Sequence, residues 1–462
     1  MITKSIKEIC DYANGSLISD ADVLIRGVSK DTRTLEEGNL YIPIIGQNFD
    51  GHDFISKAAE RGASASLWQK DHALPDTDIP LILVDDVIKS FQLMAKNYRA
   101  SLDTKVVAIT GSNGKTTTKD MLSAVLSQRY RVAHNRGNEN NEIGVPLTLL
   151  SLSEDTEIAI VEMGTERFGE IIVLTEMAMP DIAMITNVGD SHLEELLTKE
   201  NVAKEKLDIV KGLPDNGVFV YNFDDEILRD SVENTDIKQR ILTYGKAKSN
   251  YIIDNISISS EGSGFTVNGK VYHLLLIGMH QIYNAAATIA VSDIFGLDIS
   301  EISEGFKNIK MTGMRNELKK YKRFDILDDS YKSNPQNLIS ALSTLYYLDG
   351  YELKIAVLAD MLGLGDDAKK IHADIGKKLS EYDLDYIFFY GEFMESAFES
   401  AKKDHPEDRV RIYDDKKKLL RDLISIMKDD SIVLVKGSRA MHMEDIVNRL
   451  DEYDSEGMKY DQ

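Results

Sequence analysis

The sequence predicts an α/β protein of three domains: a small mixed α/β N-terminal domain, a central P-loop-type domain on a parallel sheet, and a C-terminal Rossmann-like, doubly wound domain. The length of 462 residues suits about two to four domains of ordinary size. From residue 105 onward, continuous apolar runs alternate with helical segments, as in parallel sheets that helices cover on both faces. This alternation restarts near Gly313, so we place the domains at 1–102, 103–312 and 313–462.

Each element is predicted from its own local pattern. The first domain contains short apolar runs at 40–45 and 81–84, which turn-rich segments separate. Longer apolar runs predict strands at 106–110, 158–162, 182–186, 325–329, 354–360, 386–391 and 432–436. Helical periodicity predicts helices at 116–128, 337–348 and 416–428.

The composition restricts the partners and the compartment. The 54 basic and 77 acidic residues leave a net charge of −23, which argues against nucleic acid or an anionic membrane as the main partner. The single cysteine, Cys10, excludes an intramolecular disulfide and favours a reducing compartment. The N-terminus lacks a signal-peptide pattern and no apolar run of about 18 residues is present, so we expect a cytoplasmic protein without a membrane span, and a monomer.

The segment 110–118, Thr-Gly-Ser-Asn-Gly-Lys-Thr-Thr-Thr, has the pattern of a shortened phosphate-binding loop between a strand and a helix. Glycines allow backbone N–H groups to face phosphate oxygens, and the helix N-terminus attracts their negative charge. In this interpretation Lys115 reaches the β- and γ-phosphates, and the Thr116 hydroxyl ligates Mg²⁺. The alternative is a tight turn with a solvated lysine. The predicted nucleotide contacts in this loop are Thr110, Gly111, Ser112, Asn113, Gly114, Lys115, Thr116 and Thr117.

Polar side chains follow the next two predicted strands of the central sheet. Glu162 ends one apolar run, and His192 follows the next. Ligands of open α/β sheets bind at the carboxyl ends of the strands, where a carboxylate suits Mg²⁺ and a histidine suits a metal or a phosphate. A solvent-facing glutamate and an ordinary loop or core histidine are the alternatives. Lys204 and Lys206 lie in a helical segment, where lysines are usually solvated.

Three later segments offer further candidate contacts. Asn284 opens an alanine-rich helix and carries an amide suited to an adenine edge. Arg315 lies at the domain boundary, from which an arginine can reach a transferring phosphoryl group. Asp329 follows a strand and suits a ribose, whereas the cations of 436–439, Lys-Gly-Ser-Arg, suit an anionic substrate. A packed helix start and ordinary αβ loops are the alternatives.

Taken together, these segments resemble the Mur ligases over nearly the whole chain and in the same order. The short phosphate loop is characteristic of a superfamily that includes the folylpolyglutamate synthases, and the N-terminal segments separate the muropeptide branch from that relative. The stretch 137–144, Gly-Asn-Glu-Asn-Asn-Glu-Ile-Gly, is similar to the branch that adds D-alanyl-D-alanine. The other segments that carry the resemblance are 31–33, 48–54, 110–118, 162–164, 192–193, 284–286, 313–315, 329–331 and 436–439.

The resemblance implies an ATP-dependent ligase that joins D-alanyl-D-alanine to UDP-N-acetylmuramoyl-tripeptide through an acyl phosphate, the last cytoplasmic step in making this peptidoglycan precursor. It implies that Thr32 and Arg33 hold the uridine diphosphate end of the substrate. It also implies that Asn284, Arg315 and Asp329 contact the adenine, the phosphates and the ribose of ATP. The other implied substrate contacts are Asn138, Asn141, Tyr331, Asn334, Lys436, Ser438 and Arg439.

The resemblance further implies a magnesium site with a modified lysine. Lys206, rather than Lys204, matches the lysine that is carbamylated in many members, and its carbamate ligates a second Mg²⁺ beside His192. The implied metal ligands are Thr116, Glu162, His192 and Lys206, and the implied catalytic residues are Lys115, Glu162, His192, Lys206 and Arg315. Because both the protein and its substrates are acidic, we expect local cations to offset repulsion at the cleft, namely Arg33, Lys115, Arg315 and Arg439.

Three positions depart from the family pattern. Glu139 stands where an aromatic residue is usual, Lys332-Ser333 replaces Asn-Ala, and Ala440-Met441-His442 replaces a continuation with glycine. Two of these sites lie in the domain expected to meet the dipeptide, so a ligase with a variant acceptor, or one for another muropeptide step, stays open. A non-catalytic ATP-binding module is the alternative from another class. The joint presence of the predicted phosphate and metal ligands argues against it.

Overall fold

The computed structural model describes residues 1–190 and 193–456, and it has the α/β architecture that the sequence predicts. Within these ranges the strands form sheets of two, five, nine and six strands. Helices cover the larger sheets, because continuous apolar strands need both faces buried. No helix in the described ranges is long and apolar enough to cross a membrane.

The N-terminal region forms short strands, because turns interrupt its apolar runs. Its elements are β1 (Thr3–Ser5), α1 (Ile6–Tyr12), β2 (Ser16–Leu17), β3 (Leu24–Arg26), β4 (Val28–Ser29), β5 (Leu40–Tyr41), α2 (Ile55–Glu60), β6 (Ala65–Gln69), β7 (Leu81–Val84) and α3 (Val87–Ala100). Strands β1 and β3 form an antiparallel pair. The others form a mixed sheet in the order β2-β7-β6-β5-β4, in which only β2 is antiparallel to its neighbour.

The central region forms a nine-stranded sheet. Its elements are β8 (Lys105–Thr110), α4 (Lys115–Leu126), β9 (Val132–His134), α5 (Gly144–Ser151), β10 (Ile158–Glu162), α6 (Glu170–Ala178), β11 (Ile182–Ile185), α7 (Leu193–Leu196), α8 (Lys199–Leu207), β12 (Val218–Asn222), α9 (Glu226–Glu233), β13 (Arg240–Gly245), β14 (Tyr251–Ser259), β15 (Gly262–Val267), β16 (Lys270–Leu274), α10 (Met279–Ile294) and α11 (Ile299–Lys307). The strand order is β16-β15-β14-β13-β12-β11-β8-β10-β9.

The predicted strands at 106–110, 158–162 and 182–186 are correct and correspond to β8, β10 and β11, but the parallel part of the sheet also contains β9, β12 and β13, which were not predicted. Strand β14 continues the parallel part, and β15 and β16 then add two antiparallel strands at the edge. Residues 251–259 and 270–274 place exposed side chains among buried ones instead of forming a continuous apolar run. The criterion for fully buried parallel strands therefore misses them.

The C-terminal region is doubly wound, as predicted. Its elements are β17 (Glu317–Lys320), β18 (Phe324–Asp329), α12 (Pro335–Tyr347), β19 (Leu353–Ala359), α13 (Ala368–Lys378), β20 (Tyr386–Tyr390), α14 (Met394–Ala401), β21 (Val410–Tyr413), α15 (Lys416–Ile426), β22 (Ser431–Lys436) and α16 (Glu444–Glu456). The order is β17-β18-β22-β19-β20-β21, and only β17 is antiparallel. Helix α12 begins earlier than predicted, because Asn334 caps it and Pro335 occupies the first turn.

The N-terminal and central regions share one hydrophobic core. Phe91 of α3 belongs to the same buried cluster as Val145 and Leu149 of α5. The Tyr98 hydroxyl of α3 donates to the Leu152 carbonyl over 2.8 Å, and both groups are buried. The first region is therefore fixed against the central sheet by packing and by hydrogen bonds.

We expect Tyr98→Phe to lower the free energy of unfolding by about 1–3 kcal/mol, because the buried Leu152 carbonyl loses its donor. Burial raises the pKa of Tyr98 to about 12, so the hydroxyl keeps its proton at neutral pH. Urea unfolding followed by the fluorescence of the single tryptophan, Trp68, measures the change. Tyr347 is exposed, and Tyr347→Phe should change the free energy by less than about 0.5 kcal/mol. Equal losses in the two variants would contradict a stabilising role for the Tyr98 hydrogen bond.

Candidate active site

The carboxyl ends of β8, β10 and β11 face those of β18 and β22 across a cleft between the central and C-terminal regions. The cleft has a volume of about 1500 Å³. This exceeds the roughly 300–1000 Å³ of a site for one small ligand, so a nucleotide and a second substrate fit together. The predicted residues that line it are Gly111, Ser112, Asn113, Gly114, Lys115, Thr116, Thr117, Asn138, Asn141, Glu162, Lys206, Asn284, Arg315, Asp329, Tyr331, Ser438 and Arg439.

The predicted phosphate loop joins β8 to the N-terminus of α4. Gly111 and Gly114 have φ angles of +150° and +81°. A β-carbon on Gly111 would lie 1.9 Å from Thr186 Oγ1, and one on Gly114 would lie 2.5 Å from Asn284 Oδ1. Only glycine fits these positions, and α4 presents its N-terminus to the cleft.

Lys115 begins α4 and folds back over this loop. Its Nζ donates to the Gly111 carbonyl over 2.7 Å. Burial lowers the pKa of Lys115, the nearby Glu162 carboxylate raises it, and Arg315 lowers it again. The ammonium thus lies among charges from both sides of the cleft, where a fixed cation interacts more strongly with a phosphate than it does in water.

The Glu162 carboxylate lies at the end of β10 with a free ligating atom. The side chain is 1% exposed, and Asn140 Nδ2 donates to its Oε1 over 2.7 Å. Oε2 is buried and accepts no hydrogen bond from the described residues. A buried carboxylate oxygen without a donor is costly, and a bound cation removes that cost. The residues present therefore fit a divalent metal ion at this point.

The two threonines at the ends of the loop differ in exposure to the cleft. Thr116 lies in the first turn of α4 and lines the cleft. Thr110 is fully buried at the end of β8 and is not among the lining residues. The predicted contact of Thr110 with the nucleotide is thus not a side-chain contact here, because the chain places this residue behind the loop.

Lys206 of α8 points into the cleft, whereas Lys204 is exposed on the same helix. Lys206 is 2% exposed, and burial together with the nearby Lys115 and Lys332 lowers its pKa well below the usual range. The structure therefore places the lysine that the resemblance selects in the site. His192, its predicted neighbour, lies outside the described residues.

Asn284 and His280 lie at the start of α10 beside the phosphate loop. The Asn284 amide is buried against Gly114 and donates to Gln281 Oε1 over 3.3 Å. His280 forms a hydrogen bond of 3.0 Å with Asn316, and burial with the nearby Lys436 lowers its pKa to about 4. His280 is thus neutral at neutral pH, and sequence reasoning did not single it out.

Asp329 and Lys436 form a buried ion pair under the C-terminal wall of the cleft, with 2.5 Å between Nζ and Oδ2. Burial raises the pKa of Asp329 and lowers that of Lys436, and their attraction opposes both shifts. Lys436 has no exposed surface and also donates to the Lys332 carbonyl over 2.9 Å. The Lys436 ammonium thus contacts groups inside the protein and does not line the cleft, and the predicted contact of Lys436 with a substrate stays a prediction.

Arg315 lies in the linker between α11 and β17, where it lines the cleft. Its guanidinium lies over the Tyr331 ring, 3.9 Å from the ring centre. Its neighbours Met314 and Asn316 have φ angles of +61° and +51°, which is unusual for residues with side chains. The Tyr331 N–H donates to the Met314 carbonyl over 3.2 Å, so the loop after β18 holds this linker.

The remaining C-terminal candidates differ in how free their side chains are. Ser438 Oγ accepts from the Leu362 N–H over 2.8 Å, and Arg439 pairs with Glu444 over 2.9 Å. Asn334 caps α12 instead of lining the cleft. The Arg439 charge is thus partly neutralised, which weakens its expected role against substrate repulsion.

The predicted substrate residues of the first two domains lie in separate places. Asn138 and Asn141 line the cleft, and Asn141 Oδ1 also accepts from two backbone N–H groups at the start of α5. Thr32 and Arg33 are not among the described residues that line it. Arg33 is exposed and pairs with Asp31 over 2.6 Å, which lowers the pKa of Asp31 to about 2. A substrate that contacts both places has to extend along the protein.

Sequence reasoning missed contacts that join distant segments. Asn113 of the phosphate loop donates to Gln336 Oε1 over 3.0 Å and accepts from Asn334 over 2.9 Å. Asn140 and Asn135 hold the Glu162 carboxylate and backbone. The asparagines at 135–141 are a visible signal, but only the fold shows which of them face the glutamate.

Comparison with known proteins shows which family has this architecture. Three family models match: "Mur ligase family, catalytic domain" at residues 24–137, "Mur ligase middle domain" at 109–292, and "Mur ligase, glutamate ligase domain" at 314–439. The UDP-N-acetylmuramoyl-tripeptide--D-alanyl-D-alanine ligase of Bacillus subtilis is 39% identical over 98% of this chain and 99% of its own length.

Solved structures agree in fold over the same length. A crystal structure of MurF from Acinetobacter baumannii has a TM-score of 0.89 at 26% identity and covers 98% of this chain and 99% of that one. The MurF ligase of Thermotoga maritima in complex with ADP has a TM-score of 0.82 at 27% identity, covering 94% and 99%. With matching models across all three regions and a relative of this identity and coverage, the chain belongs to the Mur ligase family.

Proposed function

We propose that this chain is an ATP-dependent ligase that adds D-alanyl-D-alanine to UDP-N-acetylmuramoyl-tripeptide, with release of ADP and phosphate. The Bacillus subtilis relative carries this activity in its name and matches end to end. The observation that carries the proposal is the cleft in which a phosphate loop faces the loops after β18 and β22 of a second domain. The product is the UDP-linked pentapeptide precursor of peptidoglycan. We place the reaction in the cytoplasm, and one chain supplies every residue that the proposal uses.

ATP is assigned to the phosphate loop. The related Thermotoga maritima ligase was solved with ADP. In this chain Lys115 and the N-terminus of α4 would face the phosphates, and Arg315 would approach them from the linker. We assign Asn284 to the adenine side and Asp329 to the ribose. Asp329 has one oxygen toward Lys436 and one toward the Asn316 N–H, so it acts as a fixed acceptor.

In the first step the carboxylate of the tripeptide attacks ATP. One carboxylate oxygen forms a bond to the γ-phosphorus, and the bond from that phosphorus to the β–γ bridging oxygen breaks, leaving its electron pair on ADP. The role of Lys115 and Arg315 is to stabilise the negative charge on the transferring group. The cleft positions both reactants, which removes most of the entropic cost of bringing them together.

In the second step the amine of D-alanyl-D-alanine attacks the acyl carbon of the acyl phosphate. A tetrahedral intermediate forms, and the carbon–oxygen bond to phosphate breaks with its electron pair on the leaving phosphate, which also takes the proton that the amine nitrogen loses. We assign Tyr331, Asn334, Ser438 and Arg439 to the side where the dipeptide enters, and Asn138 and Asn141 to the peptide of the UDP substrate. Thr32 and Arg33, in the domain at 1–102, would hold the uridine diphosphate.

Magnesium fits the Glu162 side of the cleft. The free Oε2 of Glu162 and the hydroxyl of Thr116 are oxygen ligands of the kind that Mg²⁺ prefers, and we add His192 and a carbamate on Lys206 as further ligands. Bound there, Mg²⁺ neutralises phosphate charge and polarises the transferring group. Burial and the nearby Lys115 lower the pKa of Lys206 well below its usual range, which favours the neutral amine that adds CO₂ with loss of one proton.

The proposed reaction is tested by phosphate release with defined substrates. We expect release with UDP-N-acetylmuramoyl-tripeptide plus D-alanyl-D-alanine, and little with D-alanyl-D-serine or with the shorter UDP-muramoyl-dipeptide. Lys115→Ala should lower turnover by about 100-fold or more, because it removes the loop cation. The exposed Lys204→Ala is the matched control and should keep full turnover. Preference for D-alanyl-D-serine would indicate a variant acceptor, and ATP binding without dipeptide-dependent release would indicate a non-catalytic module.

The metal proposal predicts a changed magnesium requirement in Glu162→Gln. The amide lacks the negative oxygen that Oε2 offers, so we expect the Mg²⁺ concentration for half-maximal turnover to rise about 10-fold or more. Magnesium titration of turnover after removal of metal with EDTA measures this shift. The exposed Glu261→Gln should show the wild-type titration curve. Unchanged curves in both variants would rule out Glu162 as a ligand.

The proposed carbamate on Lys206 is tested by labelling its carbon with ¹³C. With ¹³C-labelled bicarbonate we expect a carbamate resonance in the ¹³C spectrum of the wild type and of Lys204→Ala, and none in Lys206→Ala. Depletion of CO₂ should lower wild-type turnover reversibly, because Lys206 without its carbamate lacks the carboxylate-like oxygens that would ligate the metal. A carbamate signal that persists in Lys206→Ala would assign the modification elsewhere.

A further inference from the structure

Lys332 lies in the loop between β18 and α12 and reaches into the cleft from the C-terminal side. Its backbone carbonyl accepts from Lys436 Nζ over 2.9 Å and from Asn337 Nδ2 over 3.3 Å. Its side chain is half-buried and lines the cleft beside the phosphate loop. The position of this lysine is thus fixed by the C-terminal domain, while its side chain faces the central domain.

The same loop is fastened to the phosphate loop across the cleft. Asn334 and Asn337 both donate to Asn113 Oδ1, over 2.9 and 3.4 Å, and Asn113 donates to Gln336 over 3.0 Å. Residues 332–337 therefore sit directly over the loop that receives the phosphates. The distance of Lys332 from the phosphates depends on how the two domains meet, whereas Lys115 belongs to the phosphate loop itself.

Charged side chains of both signs surround Lys332. The charges that act on Lys332 are those of Lys115, Glu166, Glu162 and Arg315, and Lys332 itself acts on Lys206. Burial first, and then the nearby Lys115, lowers the pKa of Lys332 to about 8, and the Glu166 and Glu162 carboxylates oppose this shift. The three cations, Lys332, Lys115 and Arg315, outnumber the two carboxylates, and an anion bound between the cations lowers their mutual repulsion. The transferring phosphoryl group, whose oxygens carry negative charge between the two substrates, is an anion that these cations would stabilise.

We propose that Lys332 is a further catalytic residue, supplied by the C-terminal domain, whose ammonium contacts the phosphoryl group as it passes from ATP to the tripeptide carboxylate. The inference rests on the proposed function. Its bond changes are those of the first step, and Lys332 adds no proton transfer to them. It stabilises the charge of the transferring group, and it does so only when residues 332–337 are docked on Asn113. Arginine fingers in other phosphoryl-transfer enzymes act through the same electrostatics.

The test compares Lys332→Gln, Lys332→Met and Lys332→Arg with the wild type, and uses the exposed Lys403→Gln of the same domain as the control. We expect kcat to fall about 100-fold in the Gln and Met variants and to recover about 10-fold in the Arg variant. KM for the tripeptide and the dipeptide should stay within about threefold. A kcat within about threefold of the wild type in either uncharged variant, or a loss confined to KM for the dipeptide, would overturn the proposal.

A binding measurement separates chemistry from folding. ADP affinity should be the same in the wild type and in Lys332→Gln, because the proposed ADP contacts are the phosphate loop, Asn284 and Asp329 and do not include Lys332. Affinity for ADP with aluminium fluoride and the tripeptide, which imitates the transferring group, should fall about 10-fold or more. Equal affinity for this mimic would overturn the proposal. If the wild type itself shows no dipeptide-dependent phosphate release, the proposed function fails instead, and the mimic measurement still decides the role of Lys332.

Discussion

Two adjacent buried side chains of α4, Lys119 and Asp120, hold three parts of the cleft in one arrangement. Lys119 Nζ donates to the carbonyls of Asn135 and Gly137 over 3.4 and 3.3 Å. Asp120 accepts from the Thr312 N–H over 2.8 Å, and the two charges lie 3.4 Å apart. These bonds offset the cost of removing both charges from water. Helix α4 thereby joins the phosphate loop at its N-terminus, the segment that orients the cleft glutamate, and the linker that enters the C-terminal domain.

Cations placed locally at the cleft explain how an acidic protein can bind two anionic substrates. Net charge acts over the whole surface, whereas catalysis depends on charges within a few ångströms of the reacting atoms. The cations that line the cleft include Lys115 and Arg315 from the central domain and linker, and Lys332 from the C-terminal domain. Arg33 and Arg439, which the sequence also suggested, are paired with neighbouring carboxylates. Position within the fold, and not the count of basic residues, therefore sets the local field.

Much of this arrangement was predictable from local patterns. Seven parallel strands of the two larger sheets were located to within one residue, because strands buried on both faces are rich in consecutive apolar residues. The parallel strands β9, β12, β13, β14 and β21 of the same sheets were not predicted. The glycines at 111 and 114 located the phosphate loop for an equally local reason, since no side chain fits there. Strands β14 and β16 place exposed side chains among buried ones and escaped this criterion. Contacts such as that between Asn113 and Gln336 join residues far apart in sequence, so only the folded chain shows them.

The buried pair of Asp329 and Lys436 shows what such long-range contacts contribute. From the sequence, both residues suggested direct contact with ligands, because each ends a strand at the cleft. In the fold, Lys436 fixes one Asp329 oxygen while the other accepts from the Asn316 N–H over 3.1 Å. Asn316 and Met314 flank Arg315 and have left-handed backbone angles, a conformation that costs about 1 kcal/mol or more per residue and needs support from its surroundings. The ion pair supplies part of that support. Lys436 thus acts on the phosphate site at a distance, by holding the linker that aims Arg315 into the cleft.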